Sequence, residues 1–178
     1  MTHHVQHNTL RRSVVAAYAV IAVFTLVLLQ SCSSMNGSYI EPPNGPRGLC
    51  SLYVTNNFDD DMVVKLFDVK NPKVCLHYVY VSRKNTALIE GIAPGNIIMK
   101  YSKGKEWNNA TRMFTRDRAN FETDQVLKFE ESETKTETSD GIRTQKQWSV
   151  NNFTFNANAG EGNATTSQID DKEFNENK

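Results

Sequence analysis

Histidine and cysteine are scarce in this chain of 178 residues, with four and three copies, and their positions make them scarcer still. His3, His4 and His7 crowd the N-terminus, so His77 stands alone in everything that follows. That argues against a zinc site built on several histidines and leaves one imidazole at most to serve a serine or cysteine nucleophile. Cys32, Cys50 and Cys75 show no C-x-x-C spacing, which argues against a redox-catalytic pair. Formal net charge is zero, so no global field points to nucleic acid or to acidic lipid.

Long apolar runs are missing too, with one exception. Val14 to Leu29 is interrupted only by Tyr18 and Thr25, and it follows Arg11-Arg12 with no acidic residue before it. A basic start and an apolar stretch of this kind are the grammar of a secretory signal peptide. The run falls short of the roughly 20 residues that favour a membrane-spanning helix. An uncleaved anchor is the alternative.

The residues that close the run, Leu29-Gln30-Ser31-Cys32, resemble a bacterial lipobox, with Leu29 three residues before the cysteine and small Ser31 directly before it. Gln30 departs from the small or apolar residue usual at its position. The resemblance implies cleavage before Cys32 by a type II signal peptidase, a diacylglyceryl group on the Cys32 sulfur, and acylation of the new amine by a palmitate-type chain. One acyl chain holds a protein only marginally, whereas two or more make attachment stable. Ser33, where aspartate would signal inner-membrane retention, implies the periplasmic leaflet of the outer membrane if the organism is Gram-negative. The competing readings are an ordinary secretory signal with Cys32 incidental, and twin-arginine export through Arg11-Arg12. With residues 1–31 removed, acids outnumber bases by two.

Four segments follow: a signal peptide over 1–31, a flexible tether over 32–47 bearing Pro42, Pro43 and Pro46, a domain over 48–156, and a polar, largely flexible tail over 157–178 in which Phe174 can dock. Within the domain, Leu52 and Val54, then Met62, Val64 and Leu66, alternate on either side of the polar stretch Asn56 to Asp61 and predict a hairpin. Further strands are expected over Val74 to Val81, Thr86 to Ile92 and, after the turn at Pro94-Gly95, through Ile97, Met99 and Tyr101. Five strands in about fifty residues predict a mainly β fold, a small antiparallel β-sandwich or Ig-like domain following the N-terminal signal helix. The step Ile92-Ala93-Pro94-Gly95-Asn96-Ile97 also resembles PEGA-like and other small Ig-like extracytoplasmic modules, which name no active site.

Residues 102–124 read as an irregular connection holding a short strand near Arg112 to Thr115. Beyond them, Ser139-Asp140-Gly141 suits a three-residue hairpin loop. That register sets Glu137 opposite Arg143, Thr136 opposite Thr144 and Leu127 opposite Phe153, with a polar tip projecting from the core.

Candidate sites are few. Asp59-Asp60-Asp61 lacks the spacing of a calcium loop and reads as a solvated turn, while Glu130, Glu131, Glu133 and Glu137 lie on an arm without a cleft. His77 reads as structural. Cys50 and Cys75 are either a disulfide closing a loop of about 25 residues or two separate thiols. The best candidate binding face is Tyr101, Lys103, Lys105, Trp107, Arg112, Phe114 and Arg116, because aromatic platforms beside cations suit sugars, anionic polymers or a protein partner.

These readings converge on a membrane-anchored cell-envelope lipoprotein with a non-catalytic binding or assembly domain. No catalytic residue, metal ligand or cofactor is assigned. The expected partners are the membrane, through the lipid on Cys32, and an envelope protein or cell-wall polymer; nucleic acid is not among them. A module binding carbohydrate or anionic envelope polymer is the alternative, and an envelope hydrolase ranks third.

Overall fold

Successive side chains in a strand point to opposite faces, and in this chain that rule builds two packed sheets. The computed structural model describes residues 35–156, 162 and 165–175. Leu29 to Cys32, and with them the lipobox expectation, lie outside the described residues. Those described belong to one compact unit that begins at Met35.

In chain order the strands are β1 (Tyr39–Glu41), β2 (Arg47–Asn56), β3 (Asp61–Asp68), β4 (Asn71–Val81), β5 (Asn85–Ile92), β6 (Gly95–Asn108), β7 (Met113–Thr123), β8 (Leu127–Phe129), β9 (Glu131–Thr138), β10 (Gly141–Trp148), β11 (Val150–Phe155) and β12 (Thr166–Ile169), before a short helix, α1 (Asp171–Asn175). The larger sheet runs β1-β4-β3-β6-β7-β12, with β8 also paired to β6. The smaller runs β11-β2-β5, and β9 and β10 form a two-stranded sheet of their own. This is the expected mainly β sandwich, antiparallel except where β11 joins β2 in parallel. Among the described residues no helix is long and apolar enough to cross a membrane.

Between the sheets lies the main core. Leu52 and Val54 of β2, Ala87 and Ile89 of β5, and Phe153 and Phe155 of β11 meet Met62, Val64, Leu66, Val79, Val81, Ile97, Met99 and Tyr101. Tyr101 stands among rings, with centroids 4.9 Å from Phe121 and 4.4 Å from Phe155.

The alternation in β2 and β3 was legible, but their pairing differs from the expected hairpin. β2 belongs to the small sheet and β3 to the large one, so residues 57–60 form a corner between layers. Asn56 explains the corner. Fully buried, it donates from Nδ2 to the carbonyls of Asp60 (3.0 Å) and Val81 (3.2 Å) and accepts from the Phe58 amide (2.9 Å). A buried amide bonded this way satisfies backbone groups that a layer change would otherwise strand.

Residues 102–124 also differ from expectation. Instead of an irregular connection, β6 and β7 form a long hairpin, with Trp107 opposite Phe114 and Lys100 opposite Glu122. The irregularity is confined to bulges and to the connecting turn. The register shifts between Lys103 and Lys105, and Glu106, Arg112 and Asp117 have left-handed backbones with φ of 59°, 54° and 55°. Gly104 is required here, because a Cβ would lie 2.7 Å from the Cβ of Phe114.

The large sheet is covered on its outer face as well. Val63, Tyr78, Tyr80, Phe114 and Phe174 form a second cluster, joined by Met35 and Ile40 before β2 and by Ile169 near the C-terminus. Parts of the segments expected as tether and tail are therefore built into the domain. β1 pairs with β4, β12 pairs with β7, and α1 seats Phe174 at 2 % exposure. An acidic cap starts the helix: the Glu173 amide donates to Asp170 Oδ1 at 2.7 Å.

Candidate binding surface

The seven residues expected to form one binding face occupy three environments. Tyr101 is inside the main core and Phe114 inside the outer cluster, each about as inaccessible as the surrounding aliphatic residues. Lys103 lies over the Phe58 ring at 4.4 Å. Trp107 packs edge-on against Phe114 (5.0 Å) and Tyr80 (5.8 Å), and its Nε1 donates to Asn109 Oδ1. The remaining cations are neutralised locally. Lys105 pairs with Asp117 (2.9 Å) and Asp60 (3.6 Å), Arg116 with Glu106 (3.2 Å), and Arg112 with Glu41. The bulges that break the β6–β7 ladder are what separate Tyr101 from Trp107 and Phe114. These side chains do not assemble an aromatic platform beside free cations.

The triple aspartate also diverges. Asp59 pairs with Lys84 (3.0 Å), Asp60 faces Lys105, and Asp61 Oδ1 accepts from the Arg83 amide. Among the described residues no cluster of three or more metal-binding side chains occurs.

Cys50 and Cys75 are free thiols, so the disulfide is not formed. They belong to different layers, Cys50 in the core between the sheets and Cys75 against the outer cluster. Burial pushes the Cys75 thiol up to about 11, which opposes thiolate formation at neutral pH. It lines an open groove of about 580 Å³ whose walls include Glu41, Pro42, Pro43, Lys73 and Arg112. His77 is no partner for it. The Cys75 thiol donates to the His77 carbonyl (3.3 Å), whereas the imidazole meets the Tyr39 hydroxyl (3.3 Å). Burial, and then the Arg47 charge, hold the His77 value down at about 4. A neutral imidazole held this far below neutrality is a poor general base at pH 7.

Sequence reasoning missed a polar layer on the outer sheet face. Lys65 and Lys100 are almost fully buried there. Lys65 Nζ donates to the Phe174 carbonyl (3.0 Å) and lies 4.2 Å from the Phe174 ring centre. Lys100 Nζ donates to the Glu173 carbonyl (3.2 Å) and pairs with Glu122 (3.3 Å). Arg118 and Asn120 both reach Asp171. Cations at the carboxyl end of a helix are favourable. The signal that could have found this layer is Asp170-x-x-Glu173, a capping pattern around one apolar residue, Phe174.

The arm formed by β9 and β10 is the opposite case, with every residue of both strands exposed. Its root is fixed. The Ser149 amide donates to the Glu130 carbonyl (2.9 Å), the Ser51 amide to the Ser149 carbonyl (3.1 Å), and the Leu49 amide to Glu131 Oε1 (2.5 Å). Gly48 permits this approach, since a Cβ there would lie 2.5 Å from the Ile92 carbonyl oxygen.

The projecting tip was foreseen, but its register is one residue off the expected one. Only Ser139 and Asp140 form the loop, so Thr138 faces Gly141, Glu137 faces Ile142 and Thr136 faces Arg143. Leu127 does not face Phe153 either; β8 pairs with β6 and β11 with β2. By alternation one face of the arm carries Ser132, Thr134, Thr136 and Thr138 with Arg143, Gln145 and Gln147. The other carries Glu131, Glu133, Lys135 and Glu137 with Ile142, Thr144, Lys146 and Trp148. Ile142 and Trp148 are 69 % and 49 % exposed, large apolar groups left in water. Comparison of the chain with protein-family models, curated proteins and solved structures returns no match.

Proposed function

We propose that this chain is a lipid-anchored protein of the bacterial cell envelope whose sandwich is a non-catalytic binding or assembly module. The anchor rests on the lipobox-like Leu29-Gln30-Ser31-Cys32, and the periplasmic leaflet of the outer membrane follows from Ser33 if the organism is Gram-negative. One observation carries the binding role: a long β-ribbon, bonded to the sandwich at its root, holds all its side chains in solvent. Isolated two-stranded ribbons are marginal in water, so maintaining one fits a surface that is completed by a partner. The partner class this reading favours is protein.

The test replaces residues 132–147 of the full chain with Asn-Gly and compares co-purification of envelope proteins with that of the unaltered chain. Loss of specific partners with the sandwich still folded supports the role. Unchanged recovery of every partner contradicts it. Mass spectrometry addresses the anchor separately, with a lipidated Cys32 at the mature N-terminus as the expected result and an intact Met1 to Ser31 as the contrary one.

A further inference from the structure

We propose that the outer edge of β9 pairs antiparallel with the same edge of a second copy of this chain, about a two-fold axis through Thr136. This deepens the binding role proposed for the arm by naming one partner, and it rests on that reading.

The backbone supplies the first constraint. β9 pairs only with β10 among the described residues, so its other edge carries unpaired amides and carbonyls. A two-residue loop is closed by hydrogen bonding between the residues that flank it, here Thr138 and Gly141. Alternation then turns the backbone groups of Thr138, Thr136 and Thr134 toward β10, and those of Glu137, Lys135 and Glu133 outward. An added antiparallel strand must pair outward-facing residues with outward-facing residues. Self-pairing is therefore confined to registers whose two-fold axis passes through a residue.

The charges select among these registers. With the axis on Thr136, Lys135 stands opposite Glu137 of the second copy, and Glu137 opposite Lys135 of the second copy. Thr134 and Thr138 face each other in the same way, Thr136 meets its own counterpart, and Glu133 meets a serine. An axis on Glu133, Lys135 or Glu137 sets that residue's charge against itself. An axis on Thr134 sets Glu131 against Glu137. Among axes from Glu133 to Glu137, Thr136 alone avoids a like-charge pair, and like charges directly opposite are unfavourable. The backbone ladder supplies the attraction and the side chains fix the register.

The edge of β10 does not compete in the same way. Between Gly141 and Trp148 it has Arg143 and Lys146 but no acid, so two such edges form no opposite-charge pair to fix a register. A β9 edge could attract a β10 edge of another copy, but that contact is heterologous and extends without closing. A ladder of this length lies at the low end of interface sizes, so the dimer should be weak and dependent on concentration.

The test uses the full chain in detergent, with sedimentation followed across a concentration series. The unaltered chain should move from monomer to dimer. Lys135→Glu, which leaves a like-charge pair for every axis from Glu133 to Glu137, should weaken association at least tenfold, and the combined K135E/E137K chain, for which Thr136 is again the one axis in that range without a like-charge pair, should recover it. Under mild oxidation Thr136→Cys should give a disulfide-linked dimer above the level of the parent chain, and Ser132→Cys should not. Association unaffected by Lys135→Glu, crosslinking of Ser132→Cys as readily as Thr136→Cys, or a series of species larger than dimers would overturn the proposal. If the chain stays monomeric while the arm-replaced chain loses its envelope partners, self-pairing fails and the binding role stands. If neither effect is seen, both fail.

Discussion

β3 and β9 are both eight-residue strands, and they sit at opposite extremes of burial. β3 has β4 on one edge and β6 on the other, the small sheet against one face and the outer cluster against the other, and six of its residues are buried. Among the described residues β9 has a single neighbouring strand and no cover, and all its residues are exposed. The difference teaches that a strand is secured by what surrounds it on four sides. The contrast places stability on β3 and is what the proposed recognition role of β9 rests on.

Substitution within the two strands gives the sharpest break in this comparison. Phe67→Ala removes a fully buried ring from β3 and should cost about 3–5 kcal/mol by urea denaturation. Thr136→Ala on β9 should stay within about 0.5 kcal/mol of the parent. Comparable losses at both sites would abolish the distinction.

The alternation of Met62, Val64 and Leu66 made β3 visible in the sequence, because one side of a sandwich strand must be apolar. What flanked it was not visible. Asn57 to Asp60 has the composition of a hairpin loop, and only the burial of the Asn56 side chain turns it into a corner between sheets. β6 and β7 lost their outline because left-handed residues at Glu106 and Asp117 interrupt the alternation. The arm was recognisable from its turn, yet Gly141, with φ of 128°, lies just outside the loop and not within it. No buried face exists there to forbid a one-residue slip. For the same reason the expected aromatic and cationic face dissolved, since composition brought Tyr101, Trp107 and Phe114 together while the bulges set them on different layers. The capping signal at Asp170 was present, and the polar tail around it concealed its meaning.

A pH series sharpens the comparison at an intermediate scale. His77 on β4 is held down at about 4 from its ordinary 6.5, so the folded state favours the neutral ring more than the unfolded state does. Its contribution is complete above pH 6.5 and is lost as the pH falls toward 4. The urea midpoint should therefore decline across that window, and His77→Gln should flatten the decline in its upper half, where carboxylates titrate little. An identical profile in the variant would remove His77 from the account. The arm, lacking histidine, should contribute nothing to this slope.

A small gain is expected on the outer face of the large sheet. The Ser102 hydroxyl is buried without a hydrogen-bond partner beside Asn120. Ser102→Ala removes an unsatisfied polar atom and should raise stability by up to about 1 kcal/mol. A loss of similar size would mean that the hydroxyl is satisfied.

The division into a stable sandwich and a dispensable arm is tested most directly by the urea unfolding free energy of the chain in which Asn-Gly replaces residues 132–147. The account predicts a value within about 0.5 kcal/mol of the parent, as expected where no buried contact is lost. A loss above about 2 kcal/mol would contradict it, because the ribbon would then be part of what holds the sandwich together.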